Sequence, residues 1–399
     1  MISKKSTIAS ISLFIIVLFF LGLLGYILYD SIKELEKAET YSQLGPYGDY
    51  IGGILNPFIS VFAVFAAGLA FYAQYQANRQ VQEQFEKQET REYKINFETK
   101  FFELIKIHRE NVSELNYNIY NSNNTEIATG RKVFRLMHKE LSECIKEVIR
   151  YRKMYPQNFI TPKYTLKLER IINSNNLDVN IIELAIIDLA YTIFFYGLGK
   201  ESEDYLLNNF KGKYDYLYFK RLIKYLQLKP IKENQTQYKA WKKFTSLPVA
   251  ELRDRMNVIY LNRKNKNFVY HFNHINLFNN YQLYKYYGGH QHRLGHYFRH
   301  LYQSYKFLYT DNIISDNDKY FYGKTLRGQI SSYEQTIFFI NSVSSLGFKW
   351  ELYPEKNKKG EKMLFMSKFQ IIKNVPGNKF LDIKYEKYYP NVKFDFLER

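Results

Sequence analysis

The stretch GGHQHRLGHYFRHLYQSYKFL, Gly288 to Leu308, holds His290, His292, His296 and His300, four of the eight histidines in the chain. Histidine titrates nearest to neutrality, so such a cluster can move a proton or ligate a metal. Projected on a helix at about 100° per residue, Leu294, Tyr297, Phe298, Leu301, Tyr305 and Leu308 gather within about 80° and form a core stripe. His292, His296, Arg299, His300, Gln303 and Lys306 fall on the opposite side, where they face either water or a partner.

That face supports several chemistries. The first is a solvated polar surface and nothing more. A metal is the second, because His292, His296 and His300 are spaced i, i+4, i+8 and adjacent members can share an ion. No carboxylate lies on that face, and the single Cys144 removes any cysteine-based zinc cluster, so neither a metal nor a cofactor is expected. The third is metal-independent RNA cleavage. Arg293 and His300 are seven residues apart, which puts them about 20° apart around the axis and roughly 10 Å along it. An Arg-x6-His pair fits the loose Arg-x4-6-His pattern of HEPN-type ribonucleases, in which histidine moves the proton and arginine holds the phosphate. Phosphate binding without cleavage is the fourth.

The elements that must position these residues read as mainly α-helical. Leu136 to Tyr151, Ile181 to Tyr196 and Tyr205 to Leu226 each carry an apolar stripe of period 3.6, and each predicts one helix. NYNIYNSNN, Asn116 to Asn124, predicts a polar loop, and YPEKNKKGEK, Tyr353 to Lys362, a charged turn between apolar segments. Cys144, inside LSECIKEVI, reads as a core residue rather than a nucleophile. YGKT at Tyr322 to Thr325 is not a phosphate-binding loop, because Asp318 stands where the motif needs glycine.

The front of the chain is different. Thr7 to Tyr29 and Tyr50 to Tyr72 are both free of charge, and each is long enough to cross a bilayer as a helix. Small residues at Gly52, Gly53, Ala63, Ala66, Ala67, Gly68 and Ala70 would let helices approach closely in lipid, and Asn56-Pro57 marks a kink or the span's entry point. The link between the spans leans acidic. Lys4 and Lys5 precede the first span and Arg79 follows the second, which predicts a multi-pass protein of the cytoplasmic membrane with both termini in the cytoplasm. The expected organisation is residues 1–73 as two transmembrane helices, 74–115 as a helical stalk and 116–399 as a mainly α-helical cytosolic domain. The stalk is rich in Gln, Glu and Lys and is compatible with pairing of two copies. A formal charge of +18 suggests an anionic partner, RNA or an acidic membrane surface, although an AT-rich coding sequence also yields many lysines.

Several stretches together resemble the phage abortive-infection (AbiC-like) family. They are GDYIGGILNPFISVFAVFAAGLAFYAQYQ, FETKFFELIKIHRENVSEL, LGHYFRHLYQSYKFL, YGKTLRGQISSYEQTIFFINSVSSLG and KFQIIKN, in patches from about Gly48 to Asn374. The matched positions include His296, Tyr297, Phe298, Arg299, Leu301 and Tyr302, then Tyr322, Leu326, Arg327, Gln329, Ser331, Glu334 and Asn341. The resemblance implies a role in blocking phage multiplication, with the bilayer and a phage-derived trigger as partners. It supplies no reaction, and it does not dependably supply both Arg293 and His300. In the second segment Arg327, Ser331 and Glu334 are helical neighbours, so Arg327 is expected to pair with Glu334 or to join Arg299 and His296 in a polar or phosphate-binding cluster. Three classes stay open: an effector enzyme using Arg293 and His300, a membrane-disrupting effector or sensor, and a membrane-tethered scaffold.

Overall fold

The computed structural model describes residues 15, 18–20, 22, 23, 25–33, 36, 44–120, 125–262, 264, 265, 267–277 and 285–398. They are mainly helical, and the strands among them form only short two-stranded hairpins. The chain divides into two compact units, Met1–Ile95 and Asn96–Arg399.

In the first unit, much of the expected first span (residues 7–14, 16, 17, 21 and 24) lies outside the described residues, as do Lys4, Lys5 and residues 34, 35 and 37–43 of the link. The described residues at 15, 18–20, 22, 23 and 25–33 are helical. The second span lies inside helix α1, Leu44–Ser113, whose 70 residues correspond to a length of about 105 Å. Pro57 lies within this helix and so is not its entry point. The apolar part has a mean hydropathy of 2.1 over 18 residues and is unburied. Phe58, Val61, Phe62, Val64, Phe65, Leu69 and Phe71 are all exposed. By length and composition this helix can cross a membrane.

The second unit opens with the end of α1, where Phe97, Phe101, Ile105, His108 and Val112 are buried. The expected loop at Asn116 to Asn124 begins instead with a strand. β1 (Asn116–Tyr120) pairs antiparallel with β2 (Thr125–Thr129), and the turn residues 121–124 lie outside the described set. The helices that follow are α2 (Arg131–Met154), α3 (Pro162–Ser174), α4 (Ile181–Tyr196), α5 (Lys200–Phe210), α6 (Tyr216–Gln227), α7 (Gln235–Thr245) and α8 (Val249–Leu261). Hairpin β3–β4 (His271–Phe272, Ile275–Asn276) comes next. Then follow α9 (Gln291–Thr310), α10 (Asp316–Arg327), α11 (Ser332–Ser342), the short α12 (Phe365–Phe369) and hairpin β5–β6 (Lys379–Phe380, Ile383–Lys384).

The single helix expected over Tyr205 to Leu226 is two. Gly212 adopts φ +77°, and the Asp215 side chain accepts from Tyr218 N at 2.7 Å, which starts α6 afresh. The charged turn at Tyr353 to Lys362 closes through an antiparallel bridge between Lys356 and Lys362.

α4 sits at the centre, and its residues from Leu184 to Phe194, Ile186 apart, are buried on every face. α2 packs on it with the stripe Val133, Phe134, Met137, Leu141, Cys144, Ile145 and Val148, and also meets α11, α6 and α8. The α9 stripe is buried as its spacing requires: Leu294, Tyr297, Phe298, Leu301, Tyr305 and Leu308, with Tyr302 and Ser304 added.

Candidate functional site

The approach to α9 explains the paired glycines. Gly289 has φ +87° and Gly197, just past α4, has φ +81°. A Cβ on Gly289 would stand 2.5 Å from Tyr196 O, and one on Gly197 would stand 2.6 Å from Gly288. Backbone lies directly on backbone here. His290 N donates to Phe195 O at 2.8 Å, and Leu198 N to Tyr287 O at 2.8 Å. The crossing plants His290 in the core at 2% exposure, against the Phe194 ring at 4.4 Å.

His290 Nε2 stands 3.2 Å from Glu140 Oε2, and the Tyr117 hydroxyl donates to the same oxygen at 2.6 Å. Arg293 Nη1 is 3.3 Å from His290 Nδ1. A guanidinium can only donate, so Nδ1 accepts and the ring proton sits on Nε2, toward the carboxylate. Arg293 is further held by a bond from Nε to Asn116 O at 2.8 Å and by the Tyr117 ring, 5.2 Å from its guanidinium carbon.

Glu140 begins an inward-facing row on α2. Glu143 accepts from Lys229 at 2.8 Å and from the Tyr286 hydroxyl, and Glu147 accepts from Tyr225 at 2.6 Å and from Arg150. Lys229 is 4% exposed and lies 3.9 Å from the Tyr286 ring. Desolvating such ions is costly unless each is paired, which accounts for these partners. Spacing i, i+3, i+7 on an amphipathic helix was the available signal for this row, and Tyr117, Lys229 and Tyr286 gave none.

His300 turns the other way. α1 runs antiparallel to α9: Phe97 stacks on Phe307 at 4.9 Å, His108 meets Tyr297 at 5.5 Å, and Asn116 meets Arg293. His300 is half-buried in this seam, with Nε2 2.9 Å from Leu104 O. A carbonyl only accepts, so Nε2 carries the proton and Nδ1 holds the lone pair. The partner on the polar side of α9 is therefore the end of α1.

The His108 ring stacks near His300, centroids 6.2 Å apart and 17° from parallel. It is 1% exposed, and neither nitrogen has a hydrogen-bond partner among the described residues. Burial, then the charges of His300, Arg131 and Arg109, push its pKa down to about 4. His300 is lowered as well, by burial against the opposing pull of Leu104 O. Two exposed arginines meet at the same junction: Arg109 Nε donates to Gln329 Oε1 at 3.0 Å, and Arg131 Nη2 to Gln329 O at 2.9 Å.

Arg293 and His300 are thus directed to different partners, one to β1 and His290, the other to α1. His292, His296 and Arg299 are exposed. Arg327 and Glu334 are buried but not joined. Arg327 Nη1 donates to Phe369 O at 3.1 Å and to Gln370 O at 2.9 Å, holding the end of α12 where Gln370 is left-handed. Glu334 Oε1 accepts from Ser331 N and Oγ in a reciprocal N-terminal cap of α11, and its Oε2 accepts from Tyr297 at 2.9 Å. Burial raises the Glu334 pKa against these donors. Both residues brace helices to one another. Arg327→Met is expected to cost about 2 kcal/mol in urea denaturation by leaving two buried carbonyls without a donor. An unchanged midpoint would show that water replaces the guanidinium. Among the described residues no group of three or more His, Cys, Asp or Glu is placed to hold a metal.

Neither the curated proteins nor the solved structures contain a match to this chain. A family model does match, from the backbone crossing at Gly289 through α9, α10, α11 and α12 to Phe380. It includes the LGHYFRHLYQSYKFL, YGKTLRGQISSYEQTIFFINSVSSLG and KFQIIKN segments, but not α1, Glu140 or Lys229. Over residues 289–380 the chain matches the family described as "Putative phage abortive infection protein".

Proposed function

We propose that this is a membrane-anchored anti-phage defence protein acting by abortive infection, with a helical cytosolic effector or sensor domain. The observation that carries the reading is the family match over residues 289–380. The exposed apolar part of α1 supports the anchor: a row of phenylalanines and valines in water is unfavourable, and lipid is the solvent that suits it. The two-span topology with cytoplasmic termini, and pairing of copies through the stalk, belong to the same proposal.

A ribonuclease remains the second reading, and the His108–His300 pair favours it. If RNA is the target, His300 with Nδ1 as base and Arg109 and Arg131 as phosphate holders is a better set than His300 with Arg293, because Arg109 and Arg131 are exposed and each gives one donor to Gln329, whereas half-buried Arg293 gives two, to Asn116 O and to His290.

Plaque formation by a phage panel on cells expressing matched levels of wild type and variants tests both readings. Wild type is expected to reduce plaques. Val61→Arg with Phe65→Arg, each costing about 2.5–3.5 kcal/mol of insertion, is expected to keep the second span out of the bilayer, with the first span still holding the protein in the membrane fraction, and to abolish protection. Loss of protection in His300→Ala, with folding and membrane fraction intact, favours the ribonuclease, whereas persistence favours a sensor or membrane-disrupting effector. Normal growth of every phage on wild-type cells would refute the defence reading and leave a scaffold.

A further inference from the structure

A second site lies outside the matched segment. α2, α6 and α8, with Leu277 and Lys285, enclose a cavity of about 120 Å³ that opens to solvent. For scale, a cavity of about 150 Å³ admits a benzene ring, so this smaller, open one takes only the edge of a ring and leaves the rest of a ligand at the mouth. Its wall brings together Arg221, Lys224 and Lys285, with no carboxylate among the described residues that line it. The wall also carries Tyr151, Tyr155 and Tyr260 and the amides of Gln227, Asn262 and Asn265.

Two polar groups there lack partners among the described residues. Tyr151 is 1% exposed and its hydroxyl is unpaired, and Arg221 Nε is enclosed and unpaired. The Arg221 guanidinium lies 4.1 Å from the Tyr260 ring centroid, which fixes its plane and leaves its donor edge for another group. Burial and then the neighbouring Lys224 charge lower the Lys285 pKa, and the Lys224 ammonium donates to Gln227 Oε1 at 3.1 Å. Three cations lining one cavity, with no carboxylate among its described lining residues, suit a phosphate, and tyrosine rings beside amides suit a nucleobase and its edge.

We propose that this cavity binds a nucleotide, its phosphates met by Arg221, Lys224 and Lys285 and its base held by the tyrosine and amide wall. The inference does not depend on the defence reading, because none of the lining residues falls within 289–380.

Calorimetric titration of the full-length protein in nanodiscs with ATP, UTP, adenosine and inorganic pyrophosphate tests it. At least one of ATP and UTP should bind, more tightly than either adenosine or pyrophosphate. Lys224→Gln and Lys285→Gln should each weaken that binding about tenfold, the worth of one charge-assisted contact, with the ligand-free melting temperature unchanged. Arg221→Gln should weaken it further, and because that residue is partly buried, the two lysine variants keep the test independent of folding. The proposal fails if neither nucleotide binds, if adenosine or pyrophosphate binds as tightly as the nucleotide, or if both lysine variants retain wild-type affinity.

Discussion

Gly289→Ala is expected to cost about 2–5 kcal/mol of folding stability, the sum of a left-handed backbone forced on a side chain and an overpacked contact. Gly288→Ala, one residue earlier, is expected to stay within about 0.5 kcal/mol of wild type. The contrast follows from local geometry. At Gly289 φ is +87° and the added Cβ meets Tyr196 O at 2.5 Å, a backbone atom that cannot rotate away. At Gly288 the nearest atom, Lys285 O, is 3.9 Å off and the residue is exposed. Relieving the clash means pulling the 287–290 segment off the end of α4. That gives up the His290 N to Phe195 O bond and shifts the imidazole, 3.2 Å from Glu140 through Nε2, away from a buried carboxylate. Urea denaturation of the detergent-solubilised protein, followed by circular dichroism, separates the two variants. Equal midpoints would mean that the crossing is not closely packed.

This glycine pair shows what the sequence could and could not convey. GGH permits an unusual backbone, but its cause, a Tyr196 carbonyl standing 2.5 Å from where a Cβ on Gly289 would lie, involves a residue more than 90 positions earlier and leaves no local trace. The stripe of α9 was legible because six apolar residues at 3.6 spacing admit one buried face. Its polar side was legible only as a choice between water and a partner. The partner is the end of α1, where Phe97, Phe101 and Ile105 are buried at helical spacing and His108 shares their face. At Arg327 and Glu334, adjacency along the chain suggested a pair. Ser331 starts a new helix between the two residues, so they point to different helices. Tyr205 to Leu226 misled for a related reason: the stripe continues in register across Gly212, and periodicity alone cannot see a chain reversal. Among the candidate sites, the cavity beside Lys285 had no signature at all, because its cations come from separate segments.

Replacing His108 with Leu is expected to leave the protein at least as stable at pH 7.5, with its advantage over wild type growing by about 3 kcal/mol on going to pH 4. The sign follows from linkage. With the folded pKa near 4 and the unfolded one at 6.5, the ring is neutral in both states above pH 6.5. Between those values only the unfolded chain takes the proton, so wild-type stability falls as pH falls through that window, and leucine removes this slope. His300, His292 and His138 are lowered in the same direction, while burial-raised Glu334 and Glu351 contribute stability that is lost as pH rises. The difference between variant and wild type therefore isolates His108, whose charged neighbours are His300, Arg131 and Arg109. At neutral pH the gain has another source, since two buried ring nitrogens without partners cost about 1–3 kcal/mol that leucine does not incur. Denaturation curves at pH 7.5, 5.5 and 4 read both effects, and a variant with the wild-type pH slope would show that the ring is solvated in the folded protein. Stability alone cannot account for a histidine that leucine would better. If His108→Leu folds more stably and no longer restricts phage, the imidazole facing His300 is part of the working site. If restriction persists, the pair is packing, and the search for chemistry moves to the Arg221–Lys285 cavity.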